Sequence, residues 1–443
     1  MVSSVPNIFK IPDLRNKILF TLGMVVVYRL GTHIPTPGIN AQALGALLNS
    51  PQFKGSAFGL YDIFVGGALG RAAIFSLGIM PYISASIIFQ LMGSVFPALE
   101  KLQREEQGRK KINQYTRYLT VGLAVLQAAS IAVYLETQRG SALTGGLDIV
   151  TNPGFLFRMI TILTLTAGTI LVMWLSERIT DKGIGNGASF IIFIGCLDDT
   201  PRSIAQTFRM LSSRSEVFTP LTLLLVVAII VGVYAGVVLI TQAVRKIPVQ
   251  YPKRIVGRRM YGGQSTHVPV RINLSGVMPI IFAQSLIVFP GTIAAFVKNP
   301  VSAWFQHMLA PGMWLYDLVY AALIIFFTYF YTSVVFNPQD LADNMQRQGG
   351  FVPGIRPGER TAEYIDRIVS RVTIVGSLFL VFMALLPTAM MHWLKVPFYF
   401  GGTTLLIIVG VALDTVQQIE SHLLMRHYEG LLKGTKLHGR RGF

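Results

Sequence analysis

The sequence predicts an all-α polytopic membrane protein: ten transmembrane helices in two pseudo-symmetric halves, related as an inverted repeat, with a re-entrant helix in the first half. Three observations predict it. Of 443 residues, 52% are hydrophobic and only 13% charged, with a mean hydropathy of +0.54, whereas about 25% of a soluble domain is charged. Ten apolar runs approach the length, about 20 residues, that lets an α-helix cross a bilayer. Finally, Gly78-Ile-Met-Pro-Tyr-Ile-Ser-Ala-Ser-Ile-Ile-Phe-Gln90 in the second run recurs in the seventh as Gly276-Val-Met-Pro-Ile-Ile-Phe-Ala-Gln284.

The first run, 18–35, leads into a connection that holds Tyr61-Asp-Ile-Phe-Val-Gly-Gly-Ala-Leu-Gly-Arg-Ala72. That stretch is too apolar for an exposed loop and too short and glycine-broken to span. It is expected to fold back at membrane depth, which irregular backbone does only where protein or a water-filled cavity surrounds it. The second run, 76–97, carries Pro81 in its opening turn, where the first amides have no intrahelical acceptor to lose. Runs at 118–136 and 155–176 follow. The fifth, 184–200, is short and opens on Gly185-Asn-Gly-Ala-Ser-Phe-Ile-Ile192. The second half repeats the order with runs at 218–241, 274–293, 315–336, 371–390 and 397–418, the last opening on Phe400-Gly-Gly-Thr-Thr-Leu-Leu-Ile407. Two repeated pairs in the same order imply a duplication, with halves at 1–205 and 206–443. Superposing them puts Ile83 on Ile281 and Ile192 on Ile407, so four isoleucines occupy equivalent depths. Glycine- and proline-interrupted segments at matching places in two halves point to a pathway where the repeats meet.

Ten spans put both termini on one side of the membrane. Of the 38 Lys and Arg, 27 lie in the termini and even-numbered connections and 8 in the odd-numbered ones, so the termini are expected in the cytosol. The net charge of +17 then reflects topology and an anionic lipid surface. The basic side includes the connections 242–272 and 337–370. The first holds seven Lys/Arg and no acid, and unrelieved repulsion of that kind calls for an acidic partner.

The chemistry that is missing narrows the function. Ionisable groups inside spans mark ion pathways and catalysis, yet Arg29, Arg158, Glu177 and Asp414 all sit near span ends, where long side chains snorkel to the interface. One cysteine, Cys196, leaves no disulfide and no thiolate cluster. There is no His-Glu-x-x-His or Walker lysine motif, and Gly183 to Gly187 lacks the strand and ribose-binding acid of a dinucleotide loop. No enzyme activity, cofactor or metal is expected. The polar segment Val2 to Lys17 and the run after it do not read as a cleaved signal. A secondary transporter of a small solute would share the repeats, but it should place ion-coordinating groups at the midplane. What the spans do contain is neutral polarity: Ser84, Ser86 and Gln90, then Gln127, then Gln284 and Ser285. This is expected to form a polar seam that can open.

Six motifs in order, Phe64-Val-Gly-Gly-Ala-Leu-Gly-Arg-Ala72, Gly78-Ile-Met-Pro-Tyr-Ile-Ser-Ala-Ser86, Gly183-Ile-Gly-Asn-Gly187, Gly262-Gly-Gln-Ser-Thr-His-Val-Pro269, Phe351-Val-Pro-Gly-Ile-Arg-Pro-Gly358 and Val396-Pro-Phe-Tyr-Phe-Gly-Gly-Thr403, resemble those of the SecY family of protein-conducting channels. The resemblance runs from the first span to the tail. It implies two five-helix halves around an hourglass pore that also opens sideways to lipid, passing unfolded secretory polypeptides and releasing transmembrane segments. The pore ring then falls on Ile79, Ile83, Ile192, Ile281 and Ile407. The plug falls on 61–75, including Tyr61, Phe64, Gly66, Gly67, Leu69 and Arg71. The lateral gate falls on Ser86, Gln90, Gln127, Gln284 and Ser285, and the motor or ribosome contact on Lys253, Arg254, Arg258, Arg259 and Arg356. Val65 stands where a small polar plug residue is expected. The implied partners are the small membrane subunits SecE and SecG, the SecA ATPase, the ribosome with its acidic rRNA surface, signal peptides and nascent chains, and anionic lipid, all at a bacterial inner membrane.

Overall fold

The computed structural model describes residues 11–40, 43–45, 61–62, 64–137, 148–198, 220–251, 254–256, 259–261, 265–294, 308, 313–394 and 402–434. Among the described residues, ten helices overlap the ten predicted spans. They are α1 (Pro12–Gly31), α2 (Met80–Val95), α4 (Glu106–Thr137), α5 (Phe155–Lys182), α6 (Gly187–Asp198), α7 (Pro220–Gln242), α8 (Met278–Ala294), α9 (Trp314–Val335), α11 (Glu359–Leu394) and α12 (Gly402–Gly434). Two short polar helices, α3 (Pro97–Arg104) and α10 (Pro338–Arg347), lie in the basic connections. Five helices are long and apolar enough to cross a membrane on length and composition, and α2, α6, α7 and α8 have shorter apolar cores. The exposed large side chains include Leu19, Leu163, Leu239, Leu318 and Phe382. A helix with an apolar outer face is what a bilayer solvates, since lipid replaces protein as its apolar neighbour.

The chain divides into two compact units, one of Met1–Lys54, Gly59–Asp199 and Val411–Phe443, the other of Gly55–Phe58 and Thr200–Gly410. In the first, α4 packs on α5, α2 on α4 and α1 on α5; in the second, α8 packs on α9 and α9 on α11. The internal repeat is visible in the backbone. Gly78 and Gly276 both take positive φ, +51° and +61°, immediately before the helices that begin at Met80 and Met278 with proline at their second residue. Each abrupt helix start is therefore made the same way, by a glycine in the left-handed region that only glycine occupies without strain.

One departure from the helical plan lies in the connection 242–272. Strands β1 (Val244–Gln250) and β4 (Ser265–Arg271) pair antiparallel in register from Val244 opposite Arg271 to Gln250 opposite Ser265, and β2 (Arg254–Val256) pairs with β3 (Arg259–Tyr261). The burial alternates along β1, with Ile247 and Val249 inward and Lys246, Pro248 and Gln250 outward, the period of two that a half-buried strand requires.

Candidate functional site

The stretch after Tyr61 is one helical turn followed by a run of tight turns; glycines at 66, 67 and 70 prevent the expected continuous helix. Gly66 and Gly67 take φ of +71° and +70°. A Cβ on Gly66 would stand 3.0 Å from Gly195 Cα in α6, so the close approach demands glycine as well. Tyr61, Phe64, Val65, Leu69, Phe75 and Leu77 are all buried. Buried backbone must find partners, and here it finds them mostly within the stretch: Gly67 N donates to Asp62 O at 2.8 Å, Ala73 N to Ala68 O at 2.8 Å, Gly78 N to Phe75 O at 2.8 Å, and Gly70 N to Asp62 Oδ1 at 2.8 Å. Ties to the rest of the unit are few. Ile74 N donates to Ile34 O and Ala72 O accepts from Thr36 N. Tyr28 stacks on Phe75 with ring centroids 5.8 Å apart, and its hydroxyl reaches Val65 O at 3.4 Å. Val65 is fully packed, one of its methyls 3.0 Å from where a Gly78 Cβ would be. An apolar side chain is thus accommodated at that position.

The five isoleucines are all buried. In the first unit Ile79 caps α2, Ile83 follows in its opening turn, and Ile192 lies midway along α6. In the second unit Ile281 is in the opening turn of α8 and Ile407 in the second turn of α12. These two helices approach closely, because a Cβ on Gly410 would overlap Val277.

Among the polar residues, Gln90 Nε2 donates to Ser86 Oγ at 3.1 Å within α2. Gln127, Gln284 and Ser285 are buried, and Gln127 Oε1 and Gln284 Nε2 have no hydrogen-bond partner.

The charged groups near span ends are ion-paired. Arg29 Nη1 meets Asp198 Oδ1 at 2.7 Å, Arg158 Nε donates to Glu136 at 2.7 Å and Arg117 Nε to Glu177 at 2.8 Å. Asp414 also has a partner. Arg158 and Arg117 stay about half exposed while paired, at 50% and 48%, so these two pairs are screened by water and contribute little.

The basic connections form a small folded platform. Ile247 and Val249 of β1, Val270 of β4, Met345 of α10, Val352, and Ile365 and Val369 of α11 make one apolar cluster. Gln250 and Phe351 exchange backbone bonds at 2.9 and 3.0 Å, fixing the 351–358 loop to the hairpin. In that loop Gly354 and Gly358 take φ of +82° and +102°. Arg356 is exposed, while its carbonyl accepts from Thr361 Oγ1 at 2.9 Å. The register of β2 and β3 puts positions 254 and 259 on one face of their ribbon. Lys253 and Arg258, and the tail after residue 434, lie outside the described residues. Sequence reasoning missed this platform, although Ile247-Pro-Val249 and Val268-Pro-Val270 carried the alternation that signals a strand pair.

The SecY family profile matches residues 73–416. The protein translocase subunit SecY of Aquifex aeolicus is 48% identical over 428 residues, covering 96% of this chain and 98% of the relative. A solved structure described as a protein conducting channel superposes with a TM-score of 0.64 at 17% identity over 94% of this chain and 96% of that one. Sec61 in the canine ribosome-channel complex from the endoplasmic reticulum gives 0.59 at 16% identity over the same shares.

Proposed function

The chain belongs to the SecY family, and from that premise we propose how its parts divide the work of a protein-conducting channel. As such a subunit it conducts polypeptides through a membrane and is not an enzyme. One observation carries the reading: residues 61–78 form irregular, glycine-broken backbone buried among membrane helices and bonded mostly to itself. A solid helical bundle has no use for such a body, whereas a channel that must be sealed at rest does.

In this reading the stretch 61–75 is the plug, and Ile79, Ile83, Ile192, Ile281 and Ile407 form the constriction. Branched apolar side chains hold back ions by dewetting and still yield around any passing chain. A pathway that accepts all sequences has no place for directional polar recognition, consistent with the scarcity of charge in the spans. Ser86, Gln90, Gln127, Gln284 and Ser285 belong to the lateral gate, through which hydrophobic segments leave between the halves 1–205 and 206–443. The platform is the cytosolic contact. Arg356 is its tip, with Lys253, Arg254, Arg258 and Arg259 beside it, and its partners are the SecA ATPase and the ribosome, whose acidic surfaces suit exposed guanidinium groups. The solved relative in a ribosome-channel complex supports the second partner. SecE and SecG complete the complex in an anionic bacterial inner membrane, with both termini of this chain cytosolic as the Lys/Arg distribution indicates.

Depletion of the protein in its host tests the function. Uncleaved secretory precursors should accumulate in the cytosol; normal export would refute it. Uptake of a radiolabelled solute into liposomes by the purified chain would instead favour a small-solute transporter.

A further inference from the structure

At the outer end of α1 an ionic cluster joins three segments distant in sequence. Asp198, the last described residue of α6, gives one carboxylate oxygen to each of two guanidinium groups: Oδ1 to Arg29 Nη1 at 2.7 Å and Oδ2 to Arg71 Nη2 at 3.0 Å. The three side chains are 22%, 27% and 22% exposed, so water and salt screen them only in part.

The two arms differ. Arg29 also donates to Ile194 O at 3.0 Å, which fastens α1 to α6 a second time and keeps the carboxylate in place. Arg71 belongs to the plug stretch, and its other nitrogen meets only His33 Nε2, at 3.1 Å. Other polar ties between the stretch and its surroundings are neutral, among them the long Tyr28 bond to Val65 O and the two backbone bonds at Ile74 and Ala72. The link from Arg71 to Asp198 is an ion pair.

We propose that Asp198 is the positioning residue that holds the plug in its seat, a carboxylate latch that a departing plug must release. The proposal rests on reading 61–75 as a plug. When Arg71 leaves, Asp198 keeps Arg29, so release strands no unpaired buried carboxylate, the situation that makes breaking a buried pair so unfavourable. The shared acid therefore makes the contact reversible: firm enough to seat the plug, and open to release without leaving a charge uncompensated.

The test uses the full complex in proteoliposomes, with Cys196→Ala to remove the native thiol and Leu69→Cys as reporter, read as the rate of labelling by a membrane-impermeant maleimide added from the outer side. Asp198→Asn and Arg71→Gln should each raise the rate about fivefold, and the double variant should add little, because both remove the same interaction. Arg29→Gln leaves the latch arm intact and should stay within about twofold of the parent. Single variants at the parent rate, or a double variant that multiplies the two effects, would overturn the latch. An equal rise for Arg29→Gln would too, since the acid would then only be joining α1 to α6. Arg71→Gln keeps the α1 to α6 link, so it gives a reading even if Asp198→Asn fails to assemble. Deleting 64–70 separates the two ideas. If ion conductance at rest does not rise, the plug reading fails; if it rises while the labelling rates stay flat, the latch alone fails.

Discussion

Gln127→Leu is a demanding test of the gate. Gln127 is 7% exposed in α4 and its amide oxygen has no partner. A buried polar atom left unpaired costs about 1 to 3 kcal/mol, although single hydrogen bonds between membrane helices average only about 0.6 kcal/mol. Leucine has nearly the same volume, so the change removes the unpaired oxygen and leaves little cavity. The state described here should gain about 1 kcal/mol over any state in which position 127 meets water or a bound signal peptide, a shift of about fivefold in the two populations. Stability gained by a state in which position 127 is buried raises the threshold for leaving it. Export of a reporter whose signal core has been shortened should fall about fivefold by that arithmetic. A full-length signal should be unaffected, and the unfolding midpoint of the purified complex should rise. Had the amides bonded to one another, as the spacing of Gln90, Gln127, Gln284 and Ser285 suggests, the variant would weaken the closed gate and export of the crippled reporter would increase. Increased export, or a lowered unfolding midpoint, refutes the reasoning from the unpaired oxygen.

Three further outcomes are expected. Arg356→Glu should abolish motor-dependent export while the protein still inserts and still binds its small subunits, because the reversed charge sits exposed at the platform tip; surviving export would make Arg356 only part of the topology signal. Replacing Ile83, Ile281 and Ile407 together by serine should hydrate the constriction and raise resting ion conductance in planar bilayers, and an unchanged conductance would put the barrier elsewhere. Ile365→Ala, at the centre of the platform cluster, should cost about 2 to 5 kcal/mol and expose the 242–272 and 337–358 segments to limited proteolysis; a protease pattern like the parent's would mean the cluster does not hold the platform together.

The spans were legible because membrane helices report themselves through length and composition, and because Gly78 and Gly276 mark the same backbone turn twice. The charge pairs were not. Arg29 and Asp198 are far apart in sequence, and nothing at either position signals the other, so a one-helix argument assigned Arg29 to the interface. Within the plug stretch the glycines announced irregular backbone, but not the Asp62 carboxylate that accepts Gly70 N. The platform failed for a different reason. Its strands alternate over few residues, are crossed by Pro248 and Pro269 and carry many cations, and each of those features reads as loop. The prolines are tolerated because a two-stranded ribbon consists of edges.

The helix that carries Ile365 and Val369 into the platform cluster continues without a break as a membrane-crossing segment, helical from Glu359 to Leu386 over 28 residues, about 42 Å at 1.5 Å per residue. A rod of that length, clamped at one end by a packed core, does not absorb a push at that end by bending. Force applied at the Arg356 loop, three residues before the rod begins, is delivered as tilt or translation at its far end and at α9, which packs along it. The platform would then act on the membrane part as the short arm of a lever, and a motor working there would need to enter no part of the path it drives.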